Sequence, residues 1–140
     1  GLVAAKLSAE KGAHVFMLNR ASERAKTALA VVQQVALDDA KVIAIDCDLS
    51  DFASVKKAAA EIQAAVSKID VLANNAGIAA SPDVATKDGF DIQMQTNHFS
   101  HFLLTRELLP LLEAAASEAD GDARVVTHTS LSRNAMKGLE

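Results

Sequence analysis

Short apolar runs alternate along the chain with longer stretches in which apolar residues recur every three or four positions. Four runs rich in β-branched residues predict strands, namely AHVFMLN, KVIAIDCDL, IDVLANNAG and ARVVTHTS. The intervening stretches, such as the Ala-rich segment 25–37 and SDFASVKKAAAEIQAAVSK, predict helices. Because a crossover helix returns the chain to the same edge of a sheet, this alternation favours parallel strands. The pattern predicts an α/β fold with a doubly wound parallel sheet.

Two of the predicted helices carry boundary signals. An apolar stripe from Leu2 to Lys11 is followed by Gly12, which suits a helix end that requires positive φ. Either Ser50 or Asp51 is expected to cap the helix after the second strand. The segment from Phe90 to Ala116 is mostly apolar on one side and predicts one long helix.

The order of the elements predicts an incomplete sheet. A helix opens the chain, whereas in the dinucleotide-binding strand order 3-2-1-4-5-6 a strand precedes that helix and lies in the middle of the sheet. Its neighbours would be the predicted strands 13–19 and 70–73, which without it stand about 9–10 Å apart. Backbone hydrogen bonds cannot cross that distance. We therefore expect the 140 residues to be a fragment of one domain, truncated at both ends.

Composition narrows the classes of protein. Half of the 140 residues are hydrophobic, which suits one compact domain. The net charge of −4 is spread without a like-charged block, so we expect no nucleic acid or anionic lipid as partner. No apolar run approaches the roughly 20 residues that span a bilayer. The single cysteine, Cys47, has no disulfide partner, which fits a reducing, cytoplasmic setting.

The turn after the third predicted strand carries a family resemblance. Residues 74–77, Asn-Asn-Ala-Gly after an apolar strand, resemble the NNAG element of the short-chain dehydrogenase/reductase family. CDLSDFASV, QMQTNHFSHFLLTRELLPLL and RVVTHTS are similar to that family's adenine-side pair, long interface helix and serine-bearing strand. The resemblance covers essentially all 140 residues, and NHFSHFLLT is similar to the branch of retinol dehydrogenase-like and protochlorophyllide reductase-like enzymes. It implies a partial NAD(P)-binding domain of the Rossmann type over residues 1–140.

The resemblance implies a site for the phosphates and ribose of a dinucleotide. Gly1 matches the last glycine of the family's phosphate-binding turn, where a small residue and a helix N-terminus admit a pyrophosphate. Leu2 would contribute through its backbone. Gly77 would let the backbone pass close to the cofactor, while Asn75 and Ala76 border its ribose. Without the resemblance, a lone glycine before a helix would indicate only a helix boundary. An Asn-rich turn would likewise be an ordinary turn.

The ends of the first two predicted strands bear on the adenine half of the cofactor. Asp48 would accept a hydrogen bond from the adenine amino group and Leu49 would pack near the ring, with Asp46 as the competing carboxylate. The first strand ends at Asn19-Arg20. A carboxylate at this point holds the ribose 2′-hydroxyl of NAD, whereas an Arg accommodates the 2′-phosphate of NADP. We therefore predict that NADP(H) is preferred over NAD(H).

Two catalytic positions of the family have counterparts here. The backbone carbonyl of Asn97 would hold a water of a proton relay, and the hydroxyl of Ser130 would hydrogen-bond the substrate carbonyl. Thr129 is the competing hydroxyl, since successive strand side chains face opposite ways. The family's proton donor is the tyrosine of a Tyr-x-x-x-Lys segment, but the chain contains no tyrosine. We expect that tyrosine and lysine beyond Glu140, and we expect the fragment itself to be inactive.

These residues predict an oxidoreductase that transfers hydride between NADP(H) and a small carbonyl or alcohol substrate. The alternative is a non-catalytic nucleotide-binding or regulatory relative. An unrelated doubly wound domain, such as a methyltransferase, would not place Asn97 and Ser130 together with NNAG. His98 and His101 could share a helix face, but no third ligand follows at useful spacing, so we expect no metal site. The resemblance also implies a homodimer through the long helix containing Asn97.

Overall fold

The computed structural model describes residues 1–37 and 39–130. Its elements follow one another in the order α1 (Leu2–Glu10), β1 (Val15–Asn19), α2 (Glu23–Val35), β2 (Val42–Asp46), α3 (Phe52–Ala65), β3 (Val71–Asn74), α4 (Ile92–Met94), a π-helical turn (Gln95–Phe99), α5 (Ser100–Ala116) and β4 (Arg124–Thr127). Strands and helices alternate, as the sequence predicts.

The four strands form two parallel pairs. β1 lies beside β2 in a register that joins Val15 to Val42, and β3 lies beside β4 in a register that joins Val71 to Arg124. Within residues 1–37 and 39–130, no ladder joins β1 to β3, so the sheet consists of two two-stranded halves. The predicted α/β fold with an incomplete parallel sheet is confirmed.

Local signals in the sequence explain where several helices begin and end. The Ser22 side chain accepts a hydrogen bond from the Ala25 N–H at 3.1 Å and caps α2. Of the two candidate caps for α3, the structure selects Asp51, which accepts from the Ala53 N–H at 2.9 Å. After α1 the chain turns through Gly12 at φ +86°, a conformation that glycine adopts without steric cost.

The segment predicted as one helix from Phe90 to Ala116 is divided in the structure. The Phe90 carbonyl accepts a hydrogen bond from the Thr86 N–H at 2.8 Å, which closes a turn and keeps this residue out of the helix. Asp91 then caps α4 by accepting from the Met94 N–H at 2.8 Å. One π-helical turn separates α4 from α5. The apolar periodicity of residues 90–116 predicts neither the turn nor the π-helical insertion, because both depend on hydrogen bonds to Thr86 and Asp88, which lie before this segment.

A buried glutamine anchors the π-helical turn. Gln95 is fully buried, and its Nε2 donates to Asp88 Oδ2 at 2.7 Å while its Oε1 accepts from the Thr86 hydroxyl. The same Asp88 oxygen accepts from the Phe52 N–H at 3.0 Å at the start of α3. The loop before α4 is therefore held against both α3 and the π-helical turn.

Two apolar clusters form the core. The larger lies between α3, α5 and the strands, and consists of Ile45, Cys47, Val55, Ala58, Ala59, Ile62, Leu72, Leu103, Leu104, Leu108, Leu111 and Leu112. The smaller one lies where α1 and α2 meet the first strand pair, and consists of Ala9, Met17, Val32 and Val42. Helix α5 supplies five leucines to the larger cluster, so its packing on α3 dominates the core.

The two neighbouring leucines of α5 allow a test of this packing. Leu108 is 1% exposed, whereas Leu109 is 44% exposed. We expect Leu108→Ala to lower the free energy of unfolding by about 2–5 kcal/mol, because it leaves a cavity between α5 and α3. Leu109→Ala should change it by less than about 1 kcal/mol. Urea denaturation of the two variants measures both, and equal losses would contradict this packing.

Candidate functional site

Residues assigned to the site follow the carboxyl ends of all four strands. Arg20 directly follows β1, Asp48 lies two residues beyond β2, Asn75 directly follows β3, and Ser130 lies three residues beyond β4. In open parallel sheets, ligands bind outside the carboxyl ends of the strands. The structure thus brings the candidate residues to the edge where such a site forms.

The N-terminus of α1 meets the turn after β3. The amino group of Gly1 donates to Asn75 Oδ1 at 3.2 Å, and a Cβ on Gly1 would lie only 3.1 Å from Asn75 Nδ2. Leu2 follows as the first residue of α1 and is 44% exposed. Because the free N–H groups and the dipole of a helix N-terminus favour an anion, this junction can accept a phosphate.

The turn after β1 presents an exposed guanidinium. Arg20 makes no ion pair or hydrogen bond through its side chain with any residue in the described part of the chain. Asp46, at the end of β2, accepts a hydrogen bond from the Ala21 N–H at 3.0 Å and so holds this turn. Arg24 lies one helical turn further on and is also exposed. Arg24 was not among the residues predicted for the site, although its four-residue spacing from Arg20 at the start of a helix is visible in the sequence.

The Asp48-Leu49 pair lies in a tightly bonded turn. Asp48 Oδ1 accepts from the Ser50 N–H at 2.8 Å and from the Ser50 hydroxyl at 2.7 Å. The Asp48 N–H donates to the Ser54 hydroxyl at 2.9 Å. The carbonyl of Leu49 accepts from the Ser100 hydroxyl at 2.6 Å, which ties the turn to α5. One carboxylate oxygen of Asp48 is therefore engaged within the turn, and the role of Asp48 toward adenine stays a prediction.

The side chain of Asn97 clamps the turn after β3. Its Oδ1 accepts from the Ile78 N–H and its Nδ2 donates to the Ile78 carbonyl, both at 2.8 Å. Gly77 lies against this clamp, since a Cβ there would stand 3.5 Å from Asn97 Oδ1. Ala76 and Gly77 are exposed beside it. The side-chain amide of Asn97 is thus engaged by Ile78, and the role of its backbone carbonyl stays a prediction.

A hydrogen-bonded series runs along α5 from this clamp. The carbonyl of Asn97 lies 3.1 Å from His101 Nδ1, and the carbonyl of His101 accepts from the Thr105 hydroxyl at 2.8 Å. The Thr105 hydroxyl in turn accepts from Asn74 Nδ2 at 3.0 Å, at the end of β3. From the sequence, His101 was considered only as a metal ligand. The signal for the series was the four-residue spacing of positions 97, 101 and 105.

The imidazole of His101 is 8% exposed. Burial lowers the pKa of His101, and the hydrogen bond to the Asn97 carbonyl opposes that shift only in part, while the nearby ring of His98 lowers it further. Burial and the His98 ring thus favour the neutral form of the imidazole. Since a carbonyl oxygen can only accept, the hydrogen of the neutral ring resides on Nδ1.

The end of β4 lies beside the end of β3. The His128 N–H donates to the Asn74 carbonyl at 3.0 Å, and the next two residues, Thr129 and Ser130, are exposed. Which of the two hydroxyls faces a substrate stays a prediction. Among residues 1–37 and 39–130, no three His, Cys, Asp or Glu side chains gather so as to hold a metal ion. Over the same residues, no helix is long and apolar enough to cross a membrane.

The fold of the chain is similar to those of solved structures. An uncharacterized protein from Mycobacterium paratuberculosis is 39% identical, with a TM-score of 0.74 over 94% of this chain and 42% of that one. An RhlG/NADP active-site complex from Pseudomonas aeruginosa is 30% identical, with a TM-score of 0.69 over 89% of this chain and 48% of that one.

Sequence comparisons agree with the structural ones. A short chain dehydrogenase/reductase of Colletotrichum higginsianum is 39% identical over 124 residues, which are 87% of this chain and 31% of that relative. The chain thus spans less than half of the length of each of these three proteins. The family model for short chain dehydrogenases matches residues 1–137. With nearly every residue matched, the chain belongs to the short chain dehydrogenase family.

Proposed function

We propose that the full-length protein is an oxidoreductase that transfers hydride between NADP(H) and a small carbonyl or alcohol substrate. One observation carries the proposal: the N-terminus of α1 touches Asn75 while Asn97 clamps Ile78, so a phosphate cradle and a fixed turn meet at one edge of the sheet. The close approach of Gly1 to Asn75 fits a dinucleotide, because a side chain on Gly1 would fill the cradle.

The preference for NADP(H) is proposed from the turn after β1. Arg20 is exposed and the strand ends in Asn19, so no carboxylate at that position repels a 2′-phosphate. A guanidinium can donate two parallel charge-assisted hydrogen bonds to a phosphate. Asp46, the carboxylate of the neighbouring strand, is engaged by the Ala21 N–H. The relative from Pseudomonas aeruginosa was solved with NADP, which supports the same choice.

In the proposed reaction this chain positions the reactants. The bound nicotinamide would supply or accept the hydride. Ser130 would hydrogen-bond the substrate carbonyl, and the backbone carbonyl of Asn97 would hold a water on the path of the proton. The proton donor is proposed to be a tyrosine of a Tyr-x-x-x-Lys segment beyond Glu140, since none occurs in these 140 residues.

The alternative proposal is a non-catalytic nucleotide-binding or regulatory relative. The two proposals differ in whether a Tyr-x-x-x-Lys segment lies beyond Glu140. Both require the cofactor site, so cofactor titrations test the part that they share. Oxidation of NADPH by the full-length protein in the presence of a carbonyl compound separates them.

We propose a homodimer through α5. Phe102 is 65% exposed on this helix, at a groove of about 320 Å³. The groove is mainly apolar with two cations, and is lined by Phe52, Lys56, Phe90, Phe99, Phe102, Leu103 and Arg106. An exposed cluster of this kind is typical of a contact surface.

A reducing, cytoplasmic setting is part of the same proposal. Its support is that Cys47 is the only cysteine and is buried, and that burial raises the pKa of its thiol to about 11.

The 2′-phosphate assignment predicts a selective loss of affinity. Arg20→Ala should weaken NADPH binding by about 10- to 100-fold, the value of a lost charge-assisted hydrogen bond, and leave NADH binding nearly unchanged. Calorimetric titration of the full-length protein with both cofactors measures this. Arg124→Ala, an exposed arginine at the amino end of β4, is the matched control. Tighter binding of NADH than of NADPH by the unaltered protein would contradict the assignment.

The contact of Gly1 with Asn75 predicts that a larger side chain at position 1 weakens the binding of both cofactors. Gly1→Val places a branched side chain within 3.1 Å of Asn75 Nδ2 at its first carbon. Crowding of this size should weaken NADPH and NADH binding alike, on the order of tenfold. Gly1→Ala should show a smaller effect. The same titrations measure it, and a change confined to NADPH would show that Gly1 does not border the shared pyrophosphate.

The proposed dimer predicts that a charged residue on the exposed face of α5 lowers the molecular mass of the protein in solution. Phe102→Glu places a charge on the exposed face of α5 and should convert the dimer to a monomer, because burying that charge in an apolar contact is unfavourable. Light scattering coupled to size exclusion measures the mass. Leu2→Glu, an exposed apolar residue of α1, is the control. A protein that is monomeric without substitution contradicts the proposed dimer.

A further inference from the structure

The carbonyl of Asn97 receives a hydrogen bond from its buried side. Asn97 is exposed at the site, whereas His101 lies one turn further on and is 8% exposed. The 3.1 Å contact joins His101 Nδ1 to the Asn97 carbonyl oxygen, which can only accept. The buried ring of His101 is therefore hydrogen-bonded to the backbone carbonyl of Asn97.

His101 is itself fixed on its helix. Its carbonyl accepts from the Thr105 hydroxyl at 2.8 Å, and that hydroxyl accepts from Asn74 Nδ2 at 3.0 Å. Helix α5 at this point is thus tied to the end of β3, whose next turn is the one that Asn97 clamps at Ile78. Side-chain hydrogen bonds therefore join the strand, the turn and the helix next to His101.

The carbonyl of Asn97 belongs to a π-helical turn, where the regular backbone bonding of a helix is interrupted. A carbonyl in such a turn has a direction that helix geometry alone does not set. The imidazole N–H supplies a fixed donor on the buried side of this oxygen. This donor occupies one of the two lone pairs of the oxygen.

We propose that His101 is a positioning residue that sets the direction of the Asn97 carbonyl through its Nδ1–H. This rests on the proposed function, in which that carbonyl holds a water on the path of the proton. The imidazole does not exchange the proton of the reaction. It keeps the acceptor aimed at the site, so that the water is held where the relay requires it.

Two variants of nearly equal size separate the donor from the volume of the ring. In His101→Asn, the amide Nδ2 occupies the place of Nδ1 and still donates, whereas His101→Leu has no donor. The exposed neighbour His98 provides the control, His98→Leu. All are made in the full-length protein, with NADPH as cofactor and 9,10-phenanthrenequinone as the carbonyl probe.

We expect His101→Leu to lower kcat by about fivefold or more, the value of one lost hydrogen bond, with KM for NADPH within about twofold. His101→Asn and His98→Leu should each retain kcat within about twofold. In ¹H–¹⁵N spectra of the unaltered protein, the His101 ring should carry its hydrogen on Nδ1. Hydrogen exchange of the Ile78 amide reports whether a variant disturbs the clamp instead.

Other results would overturn the proposal. Equal losses of kcat in His101→Asn and His101→Leu would assign the ring to packing, and an unchanged kcat in His101→Leu would leave it without a role in positioning. A ring protonated on Nε2 alone would remove the contact itself. A protein that neither binds NADPH nor reduces the quinone would contradict the proposed function, and the ring spectrum would then decide the His101 contact separately.

Discussion

The paired hydrogen bonds between the Asn97 side chain and the backbone of Ile78 are the contact on which the site depends. They join the π-helical turn before α5 to the turn after β3, two segments 19 residues apart in the chain. The same turn carries Asn75, which meets Gly1 at the start of α1. If the Asn97 amide were lost, the turn that contacts Gly1 through Asn75 would no longer be hydrogen-bonded to the π-helical turn.

The position of this contact depends on the packing of α5. The helix buries five leucines against α3 and the strands, and the buried Gln95 fastens the π-helical turn through Asp88 to the start of α3. Side-chain packing therefore sets the position of the helix, and buried polar groups set the direction of the groups that it presents. The two contributions differ in kind, since apolar packing has no direction and hydrogen bonds do.

Much of the fold was predictable because it depends on local patterns. The alternation of apolar runs with helical periods predicted the parallel α/β architecture, and the capping residues before α2 and α3 are short-range signals. The start of the long helix was not predictable. Phe90 fits the apolar period of the helix, but its carbonyl accepts a hydrogen bond from the Thr86 N–H. The apolar period does not predict such a contact. Family resemblance supplied the candidate site residues, while the exposed Arg24 and the contact of His101 with the Asn97 carbonyl were not predicted.

By itself, the sequence determined the order of strands and helices, their parallel direction and the types of residue that follow each strand, because these depend on near neighbours and on the period of the apolar positions. Only the tertiary structure decided which of these residues meet. The contact of Gly1 with Asn75 and that of Asn74 with Thr105 join positions 74 and 31 residues apart. Such contacts form when packed elements bring two polar groups within hydrogen-bonding distance, and spacing along the chain does not encode that distance.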